Sequence, residues 1–233
     1  VDVANPKLWS VDSPNLYWVR TEIIQNGKVV DSTDSRFGIR YIATDPNSGF
    51  YLNGVHTKLN GVCEHSDLGS LGMETYQAAV DRRIRTLKKY GVNAIRTSHN
   101  PVSPEFIEAC DRLGMLVFEE AFDQWLYSKN SDDYHNYFNK AADGKTVVFD
   151  KAGNDNTNND TSYIEVKRDD LQSNAERDIK AMVERDKNAP CIFAWSTGNE
   201  IYDARYKHGE NTLDMLTGWI KEIDTTRPVA ACP

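Results

Sequence analysis

The sequence predicts an α/β chain, the N-terminal half of a (β/α)8 TIM barrel preceded by the last strands of a β-sandwich. Three observations predict it. Residues 14–42 carry short strand signals with no helical pattern between them. From residue 50 onward, strand and helix patterns alternate four times, and a fifth strand begins at the end. Each of the four completed strands finishes in a cluster of polar side chains able to do chemistry.

The opening signals are "LYWVRTEII" and "QNGKVV". Asn26-Gly27 suits a two-residue hairpin turn, whose central positions take the positive φ that Asn and Gly tolerate. "RFGIRYI" reads as a third strand. About forty residues cannot close a β-sandwich, which takes about 100, so residues 1–43 read as the C-terminal part of one. The rhythm then changes. "FYLNGVHTKLNGV" predicts a hairpin turning at Asn53-Gly54 and a strand ending near Val62. "YQAAVDRRIRTLKKYG" sets Val80, Ile84 and Leu87 on one helical face and stops at Gly91. "VNAIRTS" is a strand. "SPEFIEACDRLG" is a helix with Ser103 as N-cap, Pro104 in the first turn, Phe106, Ile107, Cys110 and Leu113 inward, and Gly114 at its end.

"MLVFEEAF" is the next strand, and an Asn- and Asp-rich stretch over 126–162 then reads as a surface loop over a substrate lid. A long amphipathic helix carrying Leu171, Ala175, Ile179 and Met182 follows, "NAP" breaks it, and "CIFAWS" is a strand. The last helix holds Leu213, Leu216, Ile220 and Ile223 before Pro228 and the strand start "VAAC". Such alternation demands a parallel sheet, because each helix returns the chain to the same edge. No G-x-G-x-x-G follows the first strand, which removes the main support for a doubly wound nucleotide-binding sheet. The polar strand ends favour the barrel over residues 44–233, since in a barrel such clusters converge on the C-terminal mouth.

Composition narrows the partners. The chain has 233 residues, 39% of them apolar, and a net charge of −8 with a pI near 5.2. No Lys/Arg-rich stretch offsets that acidity, so nucleic acid is not an expected partner. No apolar run approaches the roughly 20 residues that span a bilayer, so no membrane partner is expected either. The chain starts without Met and stops as a strand begins, and so reads as an excerpt of a longer protein whose localisation is left open. Cys63, Cys110, Cys191 and Cys232 lack C-x-x-C spacing and are expected to be buried free thiols.

The first barrel strand runs into Cys63, Glu64, His65, Ser66 and Asp67, and the second ends in Arg96, His99 and Asn100. The third supplies Glu119, Glu120, Asp123 and Trp125, and the fourth Asn199 and Glu200. Taken singly, a carboxylate after a strand is commonly a helix cap, a lone His a structural hydrogen-bonder, and Glu119 and Glu120 could pair with Arg96. Four polar strand ends in register are harder to set aside, although they fit any barrel enzyme. No H-E-x-x-H, G-x-S-x-G or Walker A sequence occurs, and His65-x-Asp67 is a weak ligand pair. No metal site or cofactor is therefore expected, and no motif indicates a dependence on Mg2+ or Na+. Carboxylates and amides beside Trp125, Trp195 and Tyr202 suit a small carbohydrate as substrate; homo-oligomerisation is left open.

At these segments the chain resembles glycoside hydrolase family 2, the family of β-galactosidases, β-glucuronidases and β-mannosidases. "NPKLWSVDSPNLY" and "RFGIRYI" look like the end of that family's immunoglobulin-like β-sandwich. "FYLNGVHTKLNGVCEHSDLG", "LKKYGVNAIRTSHNPVSPEFIEACDRLGMLVFEEAFDQW" and "MVERDKNAPCIFAWSTGNE" look like the first half of its catalytic barrel. The resemblance implies a retaining exo-glycosidase, a β-galactosidase first and a β-glucuronidase or a non-catalytic carbohydrate-binding fragment as alternatives. It implies Glu200 as acid/base, Asn199 at the sugar 2-hydroxyl, His65 and His99 in the terminal sugar's subsite, and Asp123 with Trp125 as a wall there. The family's nucleophile, a Glu after strand seven, would lie beyond Pro233, so the isolated chain is expected to be inactive. Cys63 stands where many members have Asn, and Ala189 where a His is usual; neither belongs to the chemistry.

Overall fold

The protein is described by a computed structural model covering residues 2–125, 174–205 and 207–232. The 126–162 stretch read as a loop over a lid, and Leu171, lie outside the described residues.

The chain begins with a long antiparallel hairpin, β1 (Tyr17–Gln25) and β2 (Lys28–Phe37). Asn26 (φ 52°) and Gly27 (φ 76°) form its turn in the predicted positive-φ conformation. The third strand expected at "RFGIRYI" does not form. Arg36 and Phe37 instead finish the ten-residue β2, and Ile42 opens a separate strand, β3 (Ile42–Asp45). β2 is exposed along most of both faces, so its "DSTDS" middle carries no alternation from which its length could be read. β3, β4 (Gly49–Leu52) and β5 (Val55–His56) form a small antiparallel sheet turning at Asn53 and Gly54, as expected.

The remainder alternates. β6 (Gly61–His65), α1 (Gln77–Lys89), β7 (Ala94–Ser98), α2 (Pro104–Leu113), β8 (Leu116–Glu120), α3 (Asn174–Asp186), β9 (Ile192–Asn199), α4 (Lys207–Ile223) and β10 (Val229–Cys232) follow in that order. β6 to β10 build one five-stranded sheet in the order β10-β9-β8-β7-β6. Neighbours in sequence are neighbours in space, and the order never reverses. A doubly wound sheet reverses at a switch point, whereas a barrel does not. The expected (β/α)8 barrel class is thus present as a partial barrel. β6 does not stop near Val62: it starts at Gly61 and runs through His65, so its polar residues belong to the strand itself.

Helix ends follow local chemistry. Ser103 accepts a hydrogen bond from Phe106 N at 3.3 Å, Pro104 opens α2, and Gly114 closes it at φ 74°.

By contacts the chain forms two compact units, and β7, β8 and β9 each run through both. The first unit is Val1–Arg96, Val102–Phe118 and Asn188–Phe193. Its core includes Ile84, Ile95, Ile107, Leu116 and Ile192. A buried polar staple, not expected from the sequence, joins the segments of this unit. Asp111 Oδ2 accepts from Arg36 Nη2 at 3.0 Å, its Oδ1 accepts from Cys191 N at 3.0 Å, and its carbonyl accepts from Trp9 Nε1 at 2.8 Å. Burial pushes the Asp111 carboxyl up, against the pull of its bonds to Cys191 and Arg36. The second unit is Thr97–Pro101, Glu119–Lys187 and Ala194–Pro233. There α3 packs on α4, with Ile179, Met182, Val183, Leu216 and Ile220 buried.

All four cysteines are free thiols. Cys110 and Cys191 are buried as expected, but Cys63 is exposed and Cys232 half-buried. Cys63 sits on the face of β6 opposite Glu64, where Arg96 Nη1 lies 3.7 Å from its sulfur.

Candidate active site

The second unit contains five of the six residues singled out in the sequence, His99, Asp123, Trp125, Asn199 and Glu200. They stand where β7, β8 and β9 finish. Backbone hydrogen bonds fix those ends: Ala121 N donates to Ser196 O at 2.9 Å, and Asn199 N donates to Phe122 O at 3.0 Å. The strand ends therefore share one register, and side chains leaving them start from fixed backbone positions.

Two pairings organise the polar groups. Glu120, wholly buried, accepts a hydrogen bond from Ser196 Oγ at 2.7 Å and stands 3.1 Å from His99 Nδ1. A carboxylate only accepts, so a hydrogen bond there requires Nδ1 to carry the proton. The peptide bond between Ser98 and His99 is cis. In the second pairing, Asn199 Nδ2 donates to Asp123 Oδ1 at 3.0 Å. That contact fixes the rotation of the Asn199 carboxamide, which is 5% exposed.

Glu200 differs from its neighbours. It is exposed, follows the last residue of β9 and takes φ 45°, a left-handed conformation uncommon outside Gly and Asn. Trp125 is 1% exposed and donates its indole N–H to Thr197 O at 2.8 Å. It packs so close to the strand that a Cβ at Gly198 would stand 2.8 Å from Trp125 Nε1 and 2.5 Å from Ile201 Cδ1. Only glycine leaves that room. Glu119 is also wholly buried and pairs with Arg185 Nη2 at 3.2 Å.

Sequence reasoning missed Ser196, which sits in an apolar run, and the role of Glu120 as the partner of His99. A signal for Ser196 did exist. In a strand buried on both faces, a hydroxyl needs a partner, so its presence pointed to a buried acceptor.

His65 belongs to the first unit, where it ends β6 and is exposed. Beside it, Glu64 Oε2 accepts from Arg83 Nη1 of α1 at 2.7 Å. Burial pushes the Glu64 carboxyl above its ordinary range, while the Arg83 charge pulls it back. Among the described residues, no group of three or more His, Cys, Asp or Glu side chains is placed to hold a metal ion. No helix among them is long and apolar enough to cross a membrane.

The family model described as "Glycosyl hydrolases family 2, TIM barrel domain" matches residues 44–232, and the one described as "Glycosyl hydrolases family 2" matches residues 1–40. The chain belongs to glycosyl hydrolase family 2. Curated family 2 relatives agree. A protein from Bacteroides ovatus named beta-galactosidase BoGH2A is 34% identical over 98% of this chain and 27% of its own length. One from Formosa agariphila named putative beta-glucuronidase is 37% identical over 97% of this chain and 18% of its own length. Among solved structures, a family 2 member from Bacteroides cellulosilyticus superposes with a TM-score of 0.81 at 39% identity, over 99% of this chain and 25% of that one. The beta-D-glucuronidase of Dictyoglomus thermophilum superposes with a TM-score of 0.76 at 25% identity, over 98% of this chain and 35% of that one. This chain thus spans about a quarter of the length of the first curated relative, 27%, and less of the second, 18%.

Proposed function

We propose that these residues form part of a retaining exo-β-galactosidase, with Glu200 as acid/base. The observation that carries the reading is the end of β9. It delivers an exposed carboxylate directly after an amide side chain held by Asp123, on a backbone tied to Phe122. In a retaining mechanism two carboxyls about 5 Å apart flank the glycosidic bond, and the charge of the nucleophile favours a protonated neighbour until the leaving oxygen departs. Once the glycosyl-enzyme has formed that charge is gone, and the same carboxyl can deprotonate the attacking water. Asn199 would donate to or accept from the sugar 2-hydroxyl, a contact that strengthens as the ring becomes oxocarbenium-like and so favours the transition state. His99, oriented by Glu120, and His65 would bind hydroxyls of the terminal sugar. Asp123 lines the same wall through Asn199, and Trp125 supports it from beneath Gly198.

Glu119 and Glu120 are poor candidates for the nucleophile, because both are wholly buried and already engaged with Arg185, or with His99 and Ser196. The resemblance to family 2 puts the nucleophile, a Glu after strand seven, outside these residues, and the 233-residue chain alone is expected not to turn over substrate. On the same reading, residues 1–43 are the end of an immunoglobulin-like sandwich and 44–233 the first half of the catalytic barrel.

A β-glucuronidase is the second reading, favoured by the name carried by the 37% identical relative. Glu200→Gln in the full-length enzyme tests the assignment. Turnover of galactosides with poor leaving groups should fall roughly 10²–10⁴-fold. Activated aryl galactosides should lose less in the first step, and azide should rescue the second. Unchanged turnover would remove Glu200 from the mechanism, and a parallel assay on the glucuronide decides the sugar.

A further inference from the structure

From Gly61 to Ala79 no side chain is buried, so apolar packing does not fix the loop that follows His65. A small open pocket of about 40 Å3, lined by Leu68, Met73, Val102 and Phe106 along with Glu64 and Arg83, lies against it. Polar contacts do the holding. Arg83, rising from α1, donates Nη1 to Glu64 Oε2 at 2.7 Å and Nη2 to Asp67 O at 2.5 Å. The two acceptors flank His65 in sequence. From there Asp67 N donates to His65 O at 2.7 Å, Gly69 N to Asp67 Oδ1 at 3.1 Å, and Leu68 N to Gly72 O at 2.8 Å.

We propose that Arg83 is a positioning residue whose guanidinium fork clamps the loop on both sides of His65 and so sets the direction of that imidazole. The consequence for sugar recognition rests on the reading of His65 as a sugar ligand given above. A planar guanidinium can grip a carboxylate and a carbonyl at once, and a lysine ammonium, a point charge on a flexible stem, cannot. The Arg83 and Glu64 side chains are only 26% and 18% exposed, so their ion pair is sheltered from water. Removing Arg83 leaves a half-buried Glu64 carboxyl without its counter-charge, and the loop must open to hydrate it.

The test compares Arg83→Ala, Arg83→Lys, His65→Ala and the Arg83→Ala/His65→Ala double variant in the full-length protein. Amide hydrogen exchange over residues 65–72 should quicken about 5- to 30-fold in both Arg83 variants, the equivalent of one or two hydrogen bonds, while the core amides of β7 stay protected. On galactosides, Arg83→Ala should lower kcat/KM by a similar factor of about 5 to 30, chiefly through KM, and the double variant should be no worse than His65→Ala. Unchanged exchange over 65–72 overturns the clamp, and so do losses that multiply in the double variant, because Arg83 would then act elsewhere. If exchange quickens while His65→Ala leaves kcat/KM intact, the clamp stands and the sugar-ligand reading of His65 falls.

Discussion

Asp224→Asn probes how the turn between α4 and β10 is held. Asp224 Oδ2 accepts from Trp195 Nε1 at 2.8 Å and from Arg227 Nη1 at 2.6 Å, and its Oδ1 accepts from Thr226 N at 2.8 Å and Thr226 Oγ1 at 2.6 Å. Arg227 and Asp224 are 5% and 4% exposed, and the Arg227 guanidinium lies 5.5 Å from the Trp195 ring centroid. The substitution keeps one oxygen for Thr226 but turns an NH2 towards two donors. It removes the carboxylate charge that the buried Arg227 guanidinium meets at 2.6 Å. Breaking one side of such a pair costs about 3–5 kcal/mol, a large share of the 5–15 kcal/mol typical of a folded domain. Urea unfolding of the full-length protein at pH 7 should show the midpoint falling with an unchanged slope. A loss below about 1 kcal/mol, the size of a single neutral hydrogen bond, would refute the reasoning. Burial pushes the Asp224 carboxyl up, but its bonds to Thr226, the Arg227 charge and the Trp195 bond outweigh this and hold it far below the ordinary range. A carboxyl with a depressed folded pKa contributes stability that is fully present above about pH 4, the unfolded Asp range, and is lost as pH falls towards the folded value. The unfolding curves of parent and variant should therefore converge as the medium is acidified below about pH 4.

Two further outcomes are expected from the strand ends. Gly198→Ala should cost about 1–3 kcal/mol of stability through overpacking, since its Cβ would meet Trp125 and Ile201 at 2.8 and 2.5 Å. It should also lower kcat/KM by displacing Asn199; thermal unfolding and steady-state kinetics check both, and a variant as stable as the parent would contradict the close approach. Glu120→Gln can accept on one oxygen only, so either Ser196 or His99 must reverse its hydrogen bond. A loss of about 5- to 30-fold in kcat/KM is expected, equivalent to 1–2 kcal/mol, with little change in thermal midpoint; full activity would show that the orientation of His99 does not depend on the carboxylate.

What the sequence disclosed divides by range of interaction. The turns at Asn26-Gly27 and Asn53-Gly54 and the caps Ser103 and Gly114 were legible because each is settled by backbone preferences within four residues. The barrel winding was legible because alternating period-2 and period-3.6 patterns imply a parallel sheet whatever the loops do. The strand ends were placed too early at β6 and β9, since the reading stopped at the first polar residue while the hydrogen-bond ladder continues to His65 and Asn199. Pairs such as Ser196–Glu120, 76 residues apart, and Cys191–Asp111, 80 apart, carry no periodic signal at all. Glu64–Arg83 lay within reach of inspection, 19 residues apart, yet nothing local marks which of the neighbouring arginines on α1 turns towards the strand.

The carboxylate at the lip of β9 owes its place to backbone more than to packing. Glu200 itself is exposed. Its Cα is fixed from below by the Asn199 N–H bond to Phe122 and the Asn199 side-chain bond to Asp123, and from above by the Ile201 N–H bond to Cys232 O at 3.4 Å. The left-handed φ of 45° at Glu200 is the bend between those anchors. Such local strain persists only where the surrounding bonds over-determine it. Fixing the Cα of a solvent-exposed carboxyl suits a group that must first donate a proton to a leaving oxygen and then take one from water, because the two steps need the same position but opposite protonation. A wholly buried acid such as Glu120, engaged with His99 and Ser196, is shut off from the water that the second step needs, which is why it orients His99 and the exposed Glu200 carries the proposed proton.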